Sequence, residues 1–313
     1  MADTSPARGR WASRPVPPEP PSIADLIRTG TLDAELAATV WLLFGSRVPL
    51  IVAGDGDGDG DGDGVGRTDV LRALLDFVAP DVRLIELAGA EETFDWLPQA
   101  SELGWPGAAP VRATGVPVRP DDTVLLASEL SDRSPASTWA EAARIAVRAA
   151  SIGYGLAAAI PAGSLDDVFA VLRTAPVHLT DDELSRLGVV LVVGRTAEDR
   201  HRVVAAHYVR PVVRDVHGHL QRLGPAVLAT WDERTDTFEQ FGWGVTPELA
   251  SRIGLRAGDF ELELGARRLV LEGLVRDALT GGTDVRAAVA RHLATSTIRS
   301  AGLPAGSSAV KPH

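Results

Sequence analysis

Five short apolar runs of strand length alternate with helix-like stretches between residues 48 and 195, and no other feature constrains the fold as much. The runs are Val48–Ala53, Val82–Leu87, Thr123–Ala127, Leu156–Ile160 and Val189–Val193. Helical patterns at Arg67–Val78, Thr138–Ser151 and Leu165–Thr174 separate several of them. A strand-length run with no polar alternation is buried on both faces, and helices between such strands provide the crossovers that parallel pairing needs. The expectation is an α/β domain built on a mostly parallel sheet with helices on both faces. Upstream, "PSIADLIRTGTLDAELAATVWLLFGSR" reads as a short helix, a turn and an amphipathic helix that starts after Thr31 with acids in its first turn. After Arg195 the pattern changes. "AVLATWDERTDTFEQFGW" alternates and carries a turn signal at Asp232–Thr235, so it reads as a hairpin. Helical patterns at Pro247–Ile253, Phe260–Ala278 and Asp284–Ala294 follow. The division read from this is a disordered Pro-rich tail over 1–21, an α/β domain over 22–245, a helical C-terminal subdomain over 246–299 and a tail over 300–313.

Composition removes several function classes. A net charge of −11 argues against nucleic acid as the main partner, because phosphate backbones are bound by basic surfaces. There is no cysteine, so thiolate metal sites and thiol nucleophiles are excluded. The first residues run into a Pro-rich stretch rather than an apolar core, and no signal peptide is read there. The longest uncharged stretch, Ala149 to Leu165, is broken by Gly and Pro, so no membrane span is expected. Lys311, in the tail, is the only lysine, which leaves the folded part without one for catalysis.

The first core strand runs into "GDGDGDGDGDGVGRTDVL", where Gly and Asp alternate from Gly54 to Gly64. A strand, a Gly-rich loop and a helix opening on Arg67-Thr68 have the layout of a phosphate-binding loop, GxxxxGKS/T. In such a loop backbone N–H groups cradle phosphate, a lysine reaches the terminal phosphates and a hydroxyl holds magnesium. Here Arg67 stands at the lysine position and Thr68 at the hydroxyl position. Eleven residues separate Gly54 from Gly66 where the pattern has four, and a loop of normal length would begin on Asp61. Each carboxylate near the phosphate site costs on the order of 4 kcal/mol at 4 Å and an effective dielectric of 20, before screening. The alternating Asp residues also resemble the start of an EF-hand loop, but position 12 counted from Asp55, Asp57 or Asp59 is Gly66, Thr68 or Val70, never Glu. A plain surface insertion, a nucleotide loop and a weak calcium loop all remain open at this level.

Several stretches, in order, resemble the motor domain of the type II/type IV secretion ATPases, which power secretion and the assembly of pili and archaeal flagella. "DLIRTGTLDAELAATVWLLFGSRVPLIVAG" is similar to the family's lead-in helices and first core strand, and "GVGRTDVLRALLDFVAPDVRLIEL" to its GSGKTT loop, helix and next strand. "VRPDDTVLLASELSD" resembles its arginine-Pro-Asp stretch and acidic "GEVR" motif, and "SIGYGLAAAIPAGSLDDVFAVL" its glycine–histidine turn and histidine box. "ATWDERTDTFEQF" and "ELGARRLVLEGL" are similar to the end of the archaeal-type members, so the likeness runs from about Pro21 to Leu293.

The resemblance implies a RecA-like P-loop NTPase fold, ATP and magnesium as cofactors, a homo- or hetero-oligomeric ring, and a membrane platform protein as partner at the cytoplasmic face of the cell membrane. It assigns Gly54, Gly64, Gly66, Arg67 and Thr68 to the nucleotide, Thr68 and Glu129 to magnesium, and Glu129 and Glu92 to catalysis. Glu129 ends an apolar run, at the carboxyl end of a strand, where sheets of this type bind ligands. Three features depart from the family: Arg67 replaces the lysine, Pro161 and Tyr154 stand at the histidine positions, and Ala88-Gly89 fill the leading acidic pair before Glu92. An ATPase weakened in hydrolysis and a catalytically inactive paralogue serving as an assembly subunit are both consistent with these losses. Arg112 and Arg119 lie where family members offer arginines to a neighbouring subunit, but they read equally well as surface arginines. His207, His217 and His219 suggest a metal site, but the HGH pair His217 and His219 in a polar turn reads as solvent-facing, and metal binding is not expected.

Overall fold

A computed structural model describes residues 20–55, 66–107, 118–214 and 219–296. Gly64 with most of the Gly-Asp run, Arg112, His217 and the two tails lie outside the described residues, apart from Pro20 and Pro21. The strands are β1 (Leu50–Gly54), β2 (Arg83–Glu86), β3 (Thr123–Ala127), β4 (Gly155–Ile160), β5 (Val189–Arg195), β6 (His201–Tyr208), β7 (Val213–Arg214), β8 (Leu220–Gln221), β9 (Ala226–Asp232) and β10 (Thr237–Gln240). The helices are α1 (Ile23–Arg28), α2 (Ala34–Gly45), α3 (Arg67–Leu74), α4 (Ala140–Ser151), α5 (Leu165–Arg173), α6 (Asp181–Leu184), α7 (Thr246–Arg252), α8 (Ala257–Arg276) and α9 (Gly282–Thr295).

Eight strands form one mixed sheet in the order β10-β9-β6-β5-β1-β4-β3-β2. The five strands from β5 to β2 are parallel, and β6, β9 and β10 add to them antiparallel. The expected α/β architecture, a mostly parallel sheet with helices on both faces, is therefore present. Side-chain alternation divides the core into two layers. Leu50, Val52, Leu191 and Val193 join one apolar cluster with α1, α2, α3, α7, α8 and α9. Ile51, Ala53, Val190 and Val192 join the other with α4, α5 and α6. All five residues of β1 are buried, which is why its sequence shows no polar alternation.

Two expectations need correction. The run at Val82–Leu87 was read as a strand buried on both faces, but β2 is an edge strand whose residues are mostly exposed, Leu84 at 42%. α2 was expected to be amphipathic, yet every residue from Leu36 to Phe44 is buried. The reason is tertiary: α8 packs along α2 and covers the face that a surface helix would turn to water. Arg267 of α8 is itself buried, with its guanidinium over the Trp41 ring of α2 at 5.3 Å from the centroid.

Helix ends follow local chemistry. Asp33 caps α2 by accepting the Leu36 N–H at 2.8 Å, and the same carboxylate accepts two bonds from the Gln240 amide, tying β10 to the helix. The β9–β10 hairpin forms around the turn signal, with Asp232 paired to Thr237. Its Asp236 reaches across to the buried Arg202 of β6 at 3.0 Å. Among the described residues no helix is long and apolar enough to cross a membrane.

Candidate active site

β1 ends at Gly54, and α3 begins at Arg67 with Gly66 as its N-cap. Asp69 accepts the Gly66 N–H at 3.3 Å and so braces the first turn of α3. The two chain ends of the Gly-Asp run are thus a central parallel strand and a helix N-terminus. Gly54 packs closely, since an added Cβ would meet the Val193 carbonyl oxygen at 3.1 Å. Gly66 faces open space. Thr68 lies half-buried in the first turn of α3.

Arg67 is buried, and its guanidinium is directed inward. One nitrogen, Nη2, donates to Glu129 Oε2 at 2.7 Å, and Nη1 donates to the Gly54 carbonyl at 3.4 Å. Their side chains are 5% and 22% exposed, so the pair is held largely out of water. Glu129 follows β3, and the next residue, Leu130, donates its N–H to the Ala159 carbonyl of β4 at 2.7 Å. This bond holds the post-strand segment beside β4, within reach of α3. The second Glu129 oxygen accepts a hydrogen bond from Ser131. Partial burial pushes the Glu129 pKa up, but the bonds from Ser131 and Arg67, with the charges of Arg67 and Arg133, outweigh it and hold the carboxyl below its ordinary value. The site therefore brings together Gly54, Gly66, Arg67, Thr68 and Glu129. It joins the two charged members directly to each other.

Glu92 lines the same cleft as Ser131, and its oxygens are engaged within its own turn. They accept the N–H groups of Ala88 at 2.9 Å, Thr93 at 3.1 Å and Phe94 at 2.8 Å, and the Trp96 indole N–H at 3.1 Å. A carboxylate saturated by four donors fixes a loop. Gly89 has a positive φ of +63°, and a Cβ there would lie 2.4 Å from the Pro135 carbonyl oxygen. No side chain with a Cβ fits at that position without a backbone shift.

Tyr154 is fully buried before β4 and donates to Gln99 at 3.1 Å, and burial pushes its phenol up to about 12. Pro161 follows the last residue of β4, Ile160, which pairs with Ala53 of β1. That places Pro161 at the same carboxyl end of the parallel strands as Gly54, with no titratable group to offer. Arg119 is exposed beside the short turn Pro120–Asp122. His207 sits on β6 with its pKa lowered by burial, and His219 is exposed.

Residues that the sequence did not single out complete the site. Ser131 orients Glu129 and also lines a cleft of about 710 Å³ beside the carboxyl end of β3. Trp105, Trp139, Arg133 and Arg144 share that lining. A cleft of this volume is in the range that takes a small organic ligand. Nothing in the local pattern marked Ser131, because its role depends on the turn that follows β3.

No protein-family model matches the chain. An uncharacterized protein of Methanocaldococcus jannaschii is 22% identical over 269 residues, which cover 80% of this chain and 91% of that protein. The likeness therefore extends over most of both chains.

Proposed function

We propose that this chain is a P-loop-type, RecA-like protein related to the type II/type IV secretion and pilus-assembly ATPases, in which hydrolysis has been lost and the fold serves as an assembly subunit. The observation that carries the reading is the 2.7 Å bond between Arg67 and Glu129. Phosphoryl transfer needs a cation on the terminal phosphates and a carboxylate free to act on magnesium and water. Here the residues at those two positions neutralise each other. An entering phosphate has to displace Glu129 from Arg67, and Glu129 has to leave both Arg67 and Ser131 to reach a metal.

The central place of β1 between β4 and β5, with Glu129 delivered at the same carboxyl end of the strands, supports the RecA-like reading. Pro161 and the Ala88-Gly89 pair support the loss of hydrolysis. On this reading ATP and magnesium bind weakly if at all, the partners are other ring subunits and a membrane platform protein, and the site of action is the cytoplasmic face of the membrane. The test is a steady-state assay at saturating ATP and magnesium. No turnover is expected from the native protein. Replacing residues 54–68 with a family-like loop of normal length that carries lysine at 67 is expected to restore nucleotide binding. Native turnover near one per second that disappears in Glu129→Gln overturns the proposal.

A further inference from the structure

The first residues of α4, Ala140, Glu141 and Ala142, line the 710 Å³ cleft beside the carboxyl end of β3. The N-cap of α4 is Trp139, whose indole is a donor only, so no side chain caps the helix. The Ala142 and Ala143 N–H groups donate to the Trp139 carbonyl, whereas those of Trp139, Ala140 and Glu141 meet no acceptor among the described residues. Ser137 adds a hydroxyl to these donors. It lines the cleft, is only 7% exposed and makes no side-chain hydrogen bond among the described residues. A buried hydroxyl without a partner is uncommon in a folded chain. Arg144, one turn into α4, lines the cleft as well. Its Nε donates to the Val177 carbonyl at 2.7 Å and its Nη2 to the Pro176 carbonyl at 3.0 Å, which fixes the guanidinium and leaves Nη1 without an acceptor. Uncapped N–H groups at a helix N-terminus, a hydroxyl and a guanidinium together suit a carboxylate.

The same cleft also carries acids. Asp132 and Glu141 line it, both exposed, and neither forms an ion pair among the described residues. Glu92 is saturated by its four donors, and Arg133 is exposed at the rim. A purely anionic ligand would meet Asp132 and Glu141, and a purely cationic one would leave the α4 donors unused. A ligand that carries both signs satisfies both sets. Two indoles complete the lining. Trp105 is held edge-on by Phe94 with ring centroids 4.9 Å apart, and Trp139 leads into α4. Aromatic walls of this kind receive a flat apolar group.

We propose that this cleft binds a free aromatic α-amino acid as its zwitterion. The carboxylate takes the α4 N-terminus with Ser137 and Arg144, the ammonium takes Asp132 and Glu141, and the ring takes the indoles. The site does not depend on the ATPase-fold reading. The cleft is open to water and its acids are exposed, so the expected dissociation constant for a ligand of this size is on the order of 100 µM.

Titration calorimetry of the full chain with L-phenylalanine at neutral pH tests it. L-alanine, 3-phenylpropionate and phenethylamine lack the ring, the ammonium and the carboxylate in turn, and each is expected to bind at least about tenfold more weakly. Ser137→Ala is expected to weaken L-phenylalanine about tenfold without lowering the urea midpoint, because the lost hydroxyl has no partner in the free protein. Glu141→Gln changes an exposed residue, and it is expected to weaken L-phenylalanine about threefold while leaving 3-phenylpropionate no weaker. No heat of binding with L-phenylalanine at about 10 mM overturns the proposal. So does any one of the three analogues binding as tightly as L-phenylalanine, or an affinity for L-phenylalanine unchanged in either variant.

Discussion

Replacing Glu129 with Gln separates a structural latch from a catalytic carboxylate. The glutamine keeps the size of the side chain and an acceptor for Arg67, but removes the charge. At 2.7 Å and an effective dielectric of about 20, the ion pair attracts by roughly 6 kcal/mol before the cost of drying both groups is subtracted. Removing one partner of a buried pair costs roughly 3–5 kcal/mol. The Glu129 side chain is 22% exposed, so water recovers part of that, and the expected loss is about 2–3 kcal/mol. Urea denaturation checks it as a lower midpoint at unchanged slope. The sign of the pH dependence follows from the lowered pKa. The folded value lies below the ordinary 4.5, so the stabilisation is complete above that pH and is lost as pH falls through the folded value. The two proteins are therefore expected to differ at neutral pH and to converge in acid. The same change removes a negative charge from beside Arg67, so affinity for magnesium-ATP is expected to rise about tenfold, equivalent to 1.4 kcal/mol. Fluorescence titration with a labelled nucleotide reads this. A stability change below about 0.5 kcal/mol, or weaker nucleotide binding, refutes the latch.

Three further outcomes follow from the geometry. Gly89→Ala is expected to cost at least about 2 kcal/mol in thermal or urea unfolding, because φ is +63° and the new Cβ meets backbone at 2.4 Å. Glu92→Gln is expected to lower stability by about 2–3 kcal/mol, since an amide NH2 group then faces N–H donors, and an unchanged urea midpoint counts against a loop-fixing role. The Asp236 carboxyl, held down to about 2 by its bonds to Arg202 and the Trp231 indole, stabilises the fold above the ordinary 3.8, and this is lost as pH falls towards 2. Carbon-13 NMR of that carboxyl reads the value directly, and a midpoint near 3.8 removes the pairing from the account.

The strands of the parallel core were legible as apolar runs because burial on both faces leaves no polar alternation, and β3 matches its run residue for residue. The β9–β10 hairpin was legible because turn chemistry is local, and α7, α8 and α9 fall on the helical patterns read for the C-terminal part. The Gly54–Arg67 junction was also visible as a strand, a glycine-rich loop and a helix start. What periodicity did not carry was which faces meet. α2 reads as a surface helix until α8, more than 200 residues later, covers it. β2 reads as a central strand until the sheet order puts it at the edge. The pairing of Arg67 with Glu129 spans 62 positions and exists because β4 holds the segment after β3 beside the start of α3. Local sequence fixes backbone preference and burial pattern over a few residues. Charge pairing across a sheet depends on strand order, so only the tertiary structure decided that the two groups expected to serve a phosphate instead hold each other.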